Sequence, residues 1–384
     1  MPVTSATQKK IIDARTRLAG YNISLTHHVE AKDAVAPIAN LALELSYQKR
    51  LPIIYTAMGT HSHLVEESYS EAFRYLNEAL KMSEKTKDTT SLYYASLFLG
   101  CILSSNCEFE QGLEFFKKSL DLGVLTKNPI AILSAKTSMS ALGYMFYGKI
   151  DRAYQISQEA FQVAQEIGDI YLKGMAYASY GMSCYGKGLF DEAKNSLSQA
   201  ILLCERTAQL GWGSWAFGFL GRVYCGMAEH ERAQYYYKEG ISTLERGGLL
   251  PSCVNLWKIS MARSKALNNE TDIKLSDVFK YYEGINFRAF KGWAERYIGE
   301  ILMNIDDLHL SEAVEWTKKA IETDKQNGTM WFLGCDYALW AELFRRKGDK
   351  SKARQNLNTA IEIFKECGAD GWVKRTEEEM AILS

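Results

Sequence analysis

The feature that most limits what this chain can fold into is a spacing. The segments "YGKIDRAYQISQEA" (147–160), "YGKGLFDEAKNSLSQA" (185–200) and "RRKGDKSKARQNLNTA" (345–360) share one outline. Each has a turn Gly, an Ala five residues later and a small residue seven beyond that Ala. With that Ala as a ruler, equivalents fall at Ala31, Ala72, Gly112, Ala153, Ala193, Ala233, Ala313 and Ala353, in steps of 40 or 41 with one double step of 80. Ala19, Gly100, Ala141, Gly181, Gly221 and Ala341 stand twelve residues before the ruler, and Ala79, Ser119, Ala160, Ala200, Gly240, Ala320 and Ala360 seven after it. Self-similarity at a fixed period of a few tens of residues marks a solenoid. Apolar residues between the turns recur at helical spacing, as at Leu197, Ala200, Ile201 and Cys204, so each period holds two helices of roughly 15 residues. Where paired helices cross closely, only Gly, Ala or Ser fits. The turns "GKID", "GKGLFDE" and "KGDK" end one helix and cap the next.

The pattern resembles the tetratricopeptide repeat (TPR), with helices longer than in the 34-residue consensus. The expected fold is therefore all-α: a right-handed superhelical solenoid of about nine TPR-like units in a single domain over 1–384. The units lie near 7–47, 48–87, 88–127, 130–168, 169–208, 209–247, 252–284, 287–325 and 329–367. A polar capping helix over 369–383 covers the last apolar face. The weakest unit is 252–284, where "NNETDIKLSDVF" replaces the turn and delays the second helix. The segments 296–383, 98–116 ("FLGCILSSNCEFEQGLEFF") and 183–197 ("SCYGKGLFDEAKNSL") resemble the C-terminal arm of bacterial multidomain signalling ATPases. Those proteins join an AAA/STAND-type ATPase to a class III adenylate/guanylate cyclase or a protein kinase module. The resemblance covers that arm alone. It implies a sensor or partner-docking role and transfers no catalysis.

Composition excludes some classes. Five prolines suit a chain of helices better than a loop-rich β protein. A net charge of -1 gives no global attraction to nucleic acid or an anionic membrane. Eight cysteines without a CxxC pair suggest neither a zinc framework nor a disulfide scaffold, as expected of reduced thiols in a cytoplasmic protein. The polar start "MPVTSATQKK" lacks the apolar core of a signal peptide. No apolar stretch reaches the 18 or so residues of a membrane span.

Several motifs mimic chemistry. "GYMFYGKI" (143–150) and "GMSCYGKG" (181–188) approach a P-loop, but Ile150 and Gly188 stand where a Mg²⁺-binding hydroxyl is needed, and no strand is expected before either. "GWGSWA" (211–216) mimics a dinucleotide fingerprint in the same way. His61 and His63 point to different faces of a helix, which is poor ligand geometry; with His27 and His28 they read as a solvated helix end. Cys101 and Cys107 read as buried, unreactive thiols, and Asp306 and Asp307 fall in an expected loop. An enzyme, a metal and a cofactor are not expected.

In TPR-like arrays the first helix of each unit lines the concave groove. The ruler places Trp215, Arg222, Asn255, Lys258, Lys265, Trp293, Arg296 and Arg345 there, with Glu300 and Glu342. Tyr94, Leu97, Cys101, Ser138, Met145, Met175, Ala178, Met182 and Tyr185 occupy the same positions earlier. Aromatics mixed with cations suit an acidic protein or peptide. The expected function is a non-enzymatic protein- or peptide-binding scaffold that reports to ATPase or cyclase modules. The alternative is a metabolite sensor, signalled by a closed cavity among Met145, Met175 and Met182.

Overall fold

The structure, a computed structural model, describes residues 4–383. It is an all-α solenoid of the TPR class, with no strand among the described residues. Helix α1 (Ser5–Ser24) is followed by a broken partner, α2 (His28–Val35) and α3 (Ala39–Glu44), with a 3-10 turn at Ala36–Ile38 between them. Pro37 falls within that turn, where its missing N–H and fixed φ interrupt the helix. Antiparallel pairs follow: α4 (Leu51–Leu64) with α5 (Tyr69–Thr86), and α6 (Thr89–Ser105) with α7 (Phe109–Leu125). Helix α8 (Pro129–Ser138) runs through a π turn at Met139–Tyr144 and packs on α9 (Ile150–Ile167). Then come α10 (Ile170–Lys187) with α11 (Phe190–Arg206), and α12 (Leu210–Gly226) with α13 (His230–Gly247). Helix α14 (Pro251–Leu267) has a short mate, α15 (Leu275–Glu283), which starts after the "NNETDIK" segment. The last pairs are α16 (Lys291–Ile305) with α17 (Leu310–Asn327), and α18 (Met330–Arg346) with α19 (Lys350–Cys367), closed by α20 (Asp370–Ile382).

The small-residue ruler is steric. Ala72, Ala153, Ala193, Ala233, Ala313 and Ala353 are wholly buried, and four residues after five of the ruler positions a side chain (Leu76, Phe116, Leu197, Tyr237, Thr317) lies against a Gly of the first helix. A Cβ on Gly100 would lie 2.6 Å from the Phe116 ring, one on Gly181 2.6 Å from Leu197 Cγ, and one on Gly221 2.8 Å from Tyr237. Gly181→Ala is therefore expected to destabilise the fold by roughly 1–2 kcal/mol, overpacking outweighing the better helix propensity of Ala. A lower urea midpoint at unchanged slope would show it.

Second helices are amphipathic, while several first helices are buried nearly all round. In α12 every residue from Gly213 to Cys225 is buried. The reason is closure: the superhelix winds until residues far apart in sequence touch. The Leu250 N–H donates to the Leu64 carbonyl at 2.6 Å, and the Glu67 carboxylate accepts from the Ser252 N–H at 2.8 Å and its hydroxyl at 2.5 Å. Lys187 Nζ donates to the Gly368 carbonyl at 2.7 Å and to Asp370 at 2.6 Å. Gly188, at φ +83°, meets Gly371 so closely that a Cβ there would lie 2.7 Å from its backbone. Trp372 Nε1 donates to the Tyr185 carbonyl at 2.9 Å, and Arg375 donates to the Gly226 carbonyl at 2.8 Å. Inside, Phe146 stacks on Phe332 at 5.4 Å, and Trp257 and Phe332 flank Trp293 at 5.7 and 5.3 Å. The concave face is a core rather than an open groove.

Candidate functional site

Among the described residues the interior holds several cavities, two of which are lined by the groove positions expected from the sequence. The first, ≈ 150 Å³, is mostly apolar; its walls include Tyr94, Leu97, Cys101, Met175, Met182 and Trp215. These are inner positions of successive first helices, brought together because each unit repeats the same inward face. Met145, buried nearby, is not part of that wall. His28 also lines it, 2 % exposed, with Nδ1 lacking a hydrogen-bond partner. Burial drives the His28 pKa down to about 3, helped by the charges of His63, His27 and His61.

The second chamber, ≈ 390 Å³, lies between α10, α12, α14, α16, α18, α19 and α20. Arg222, Arg263, Arg296 and Arg375 line it, as do Tyr185, Tyr297, Phe364 and Trp372. Two of these cations have carboxylates. Arg263 Nε lies 2.5 Å from Glu300 Oε2. Arg296 Nη1 lies 3.0 Å from Asp336 Oδ1 and donates to the Phe332 carbonyl at 3.2 Å. Arg375 donates instead to the Gly226 carbonyl at 2.8 Å. Asp336 is wholly buried, and burial raises its carboxyl to about 7 against the pull of Arg296. Asp324, equally buried, is also pushed well up, by burial and the neighbouring Asp336 charge, and its Oδ1 accepts from the Thr329 hydroxyl at 2.6 Å.

Arg222 differs. It is 2 % exposed, and its Nε and Nη1 have no hydrogen-bond partner. Aromatic rings surround its guanidinium instead: Trp293 at 4.1 Å, Tyr185 at 4.5 Å, Phe219 at 5.0 Å, Trp331 at 5.2 Å and Phe332 at 5.8 Å. Such cation–π contacts contribute about 2 kcal/mol when desolvated, against a burial penalty of several kcal/mol for an unpaired ion.

The residues expected along one groove therefore separate. Arg222 and Arg296 share the second chamber. Trp293 is wholly buried and Trp215 is 8 % exposed, so both are core residues rather than side chains standing in an open groove. Asn255 donates to the Gly284 carbonyl at 3.0 Å, Lys258 pairs with Glu245 at 2.8 Å and Lys265 with Asp272 at 2.5 Å. These three contacts lie within one region of the array. Arg345 is exposed and pairs with Glu342 at 2.5 Å. Sequence reasoning missed Arg263 and Arg375. Arg263 lies one period beyond Arg222, so the ruler itself carries a signal for it; Arg375 reaches the chamber only through closure.

The chemical look-alikes resolve into structure. Gly188 is the left-handed C-cap of α10, and the 143–150 segment is the π turn and the turn into α9. The histidines are not a solvated end: His28, His61 and His63 are 2, 8 and 4 % exposed. Among the described residues no three His, Cys, Asp or Glu side chains converge as for a metal. The cysteines are free, and burial pushes Cys101 and Cys107 up to about 12. No helix of the described residues is long and apolar enough to cross a membrane.

No protein-family model matches the chain, and no curated protein matches it. Solved structures do. A Rap protein complexed with competence and sporulation factor is similar with a TM-score of 0.52 at 13% identity, over 87% of this chain and 87% of that one. Aspartyl phosphate phosphatase F from Bacillus subtilis gives 0.50 at 14%, over 94% and 95%. A signal transduction ATPase with numerous domains (STAND) with a tetratricopeptide repeat sensor, from Pyrococcus horikoshii, gives 0.48 at 14%, over 92% of this chain. The chain spans 55% of that protein's length. At these identities the likeness is one of fold: a TPR-class helical solenoid.

Proposed function

We propose that this chain is a non-enzymatic recognition scaffold that binds protein or peptide, the sensor or docking arm of a bacterial signal-transduction ATPase linked to cyclase or kinase modules, working in the cytoplasm as a single solenoid domain. The observation that carries the reading is Arg222, a buried cation on a chamber wall with no carboxylate of the chain paired to it among the described residues. A group in that state has an external anion as its natural partner, which favours an acidic segment. The Rap protein of like fold, bound to competence and sporulation factor, supports recognition by such a solenoid. Acidic decapeptides followed by fluorescence anisotropy at low and moderate salt test it. Binding should weaken with salt and fall on charge reversal at Arg345, near the chamber's Glu342. Failure of every acidic peptide to bind would overturn the peptide reading.

A second reading, a small-molecule sensor, is favoured by the apolar chamber with Met175 and Met182 on its wall. Native mass spectrometry of the purified chain decides it. A stoichiometric added mass, lost on denaturation, is the expected result; the bare chain mass alone would oppose it.

A further inference from the structure

We infer that the Arg222 chamber binds a single carboxylate carried on an apolar, ring-bearing body. The inference rests on the reading of the interior as the recognition surface, and it names the chemistry that surface takes. Charge sets the valence of the ligand. Arg263 and Arg296 each have a carboxylate of the chain, Glu300 and Asp336, Arg375 gives its hydrogen bond to the Gly226 carbonyl, and Glu342 is engaged by Arg345 and Arg346. Arg222 is the arginine of these walls whose Nε and Nη1 have no hydrogen-bond partner. A monoanion balances it, whereas a phosphate dianion would bring a second charge among Glu300, Glu342 and Glu379 on the same walls.

Shape sets the group. The guanidinium is planar and charged, and its Nε and Nη1, on two different edges, have no partner in the fold, so each has a charge-assisted hydrogen bond to give a carboxylate oxygen. The walls set the body. Tyr185, Tyr297, Phe364 and Trp372 offer ring faces and edges, and Met303 and Leu339 fill between them. A volume of ≈ 390 Å³ accommodates a ring and a short side arm. The carboxylate can belong to a free aromatic acid or to the C-terminus of a peptide; the two sources share the chemistry and separate in the test.

The probe is phenylacetate, with phenylacetamide as its neutral twin and phenyl phosphate as the dianion, added to the full chain at constant ionic strength. The readouts are the thermal midpoint and calorimetric titration. Phenylacetate should raise the midpoint and saturate, the amide should not, and phenyl phosphate should bind at least tenfold more weakly. Arg222→Met should leave the ligand-free midpoint unchanged or higher, and should abolish the shift with phenylacetate. Arg222→Lys keeps the charge without the planar donor set and should bind about tenfold more weakly, the loss of one charge-assisted hydrogen bond.

Equal behaviour of acid and amide would overturn the proposal. So would a ligand-free Arg222→Met chain less stable than the wild type, since the guanidinium would then already be satisfied by its rings. A phenylalanine-terminated tetrapeptide with free or amidated C-terminus separates the sources. Binding of phenylacetate with neither peptide bound sustains the chamber while the peptide scaffold fails. Acidic peptides that bind the Arg222→Met chain as they bind the wild type sustain the scaffold while the chamber fails.

Discussion

Asp336→Leu is expected to lower the stability of the fold by about 3–5 kcal/mol, the loss typical of removing one partner of a buried ion pair. Asp336 is wholly buried and holds Arg296, itself 3 % exposed, through a 3.0 Å contact. Without it the guanidinium keeps the Phe332 carbonyl, a 3.9 Å approach of its Nε to Glu300, and the Tyr297 and Phe332 rings at 5.3 and 5.7 Å. The double variant Arg296→Met/Asp336→Leu removes both charges and should recover most of the loss, because an apolar replacement of a buried pair is often neutral. Urea unfolding of the four proteins in this cycle measures the coupling. A single variant as stable as the wild type would show that the pair contributes nothing. The comparison with Arg222 is informative, since deleting a paired charge should harm the fold and deleting an unpaired one should not.

Much of this architecture was legible because its cause is steric and periodic. Gly181, Ala193, Leu197 and Ala200 recur at one spacing because two helices cross at one distance in every unit. Closure was not legible by that means. Lys187 with Asp370, and Glu67 with Ser252, are single contacts between distant units, and no period relates them. One sign was present in the residues. "GWGSWAFGFLGRVYCG" (211–226) has no polar face, and a helix apolar all round is buried all round. Read that way, Arg222 is a lone charge in a buried helix, a stronger pointer than its membership of a basic stripe. Lys258 and Lys265 look alike in sequence but pair with local acids, which only the placement of α13 and of the segment before α15 reveals. The histidines were misplaced for a related reason: α4 ends against Phe287 from a later unit, and His63 stacks on that ring at 5.2 Å.

Those histidines give the largest expected response to pH. Burial holds His28 and His63 at pKa values of about 3, from 6.5 when unfolded. A base with a depressed folded pKa binds fewer protons folded than unfolded, so its contribution is intact above pH 6.5 and is lost as pH falls from 6.5 toward 3. The slope is roughly 1.4 kcal/mol per pH unit for each ring. Asp336 and Asp324 act in the opposite sense: their raised pKa values favour the fold below the unfolded 3.8 and weaken it as pH rises toward 7. The two effects oppose each other between pH 4 and 6.5, so the wild-type curve alone does not isolate either. A difference does. In His28→Leu/His63→Phe the carboxyls are unchanged and the two titrating rings are gone. Between pH 6.5 and 4.5 this variant should gain roughly 5 kcal/mol relative to the wild type. Phe suits position 63, where the present ring stacks on Phe287, and Leu suits position 28, which packs edge-on against Phe98 at 5.5 Å. Urea midpoints of both proteins across that window measure it. Parallel curves would mean that His28 and His63 take up their protons without unfolding, and hence that water reaches them in the native chain.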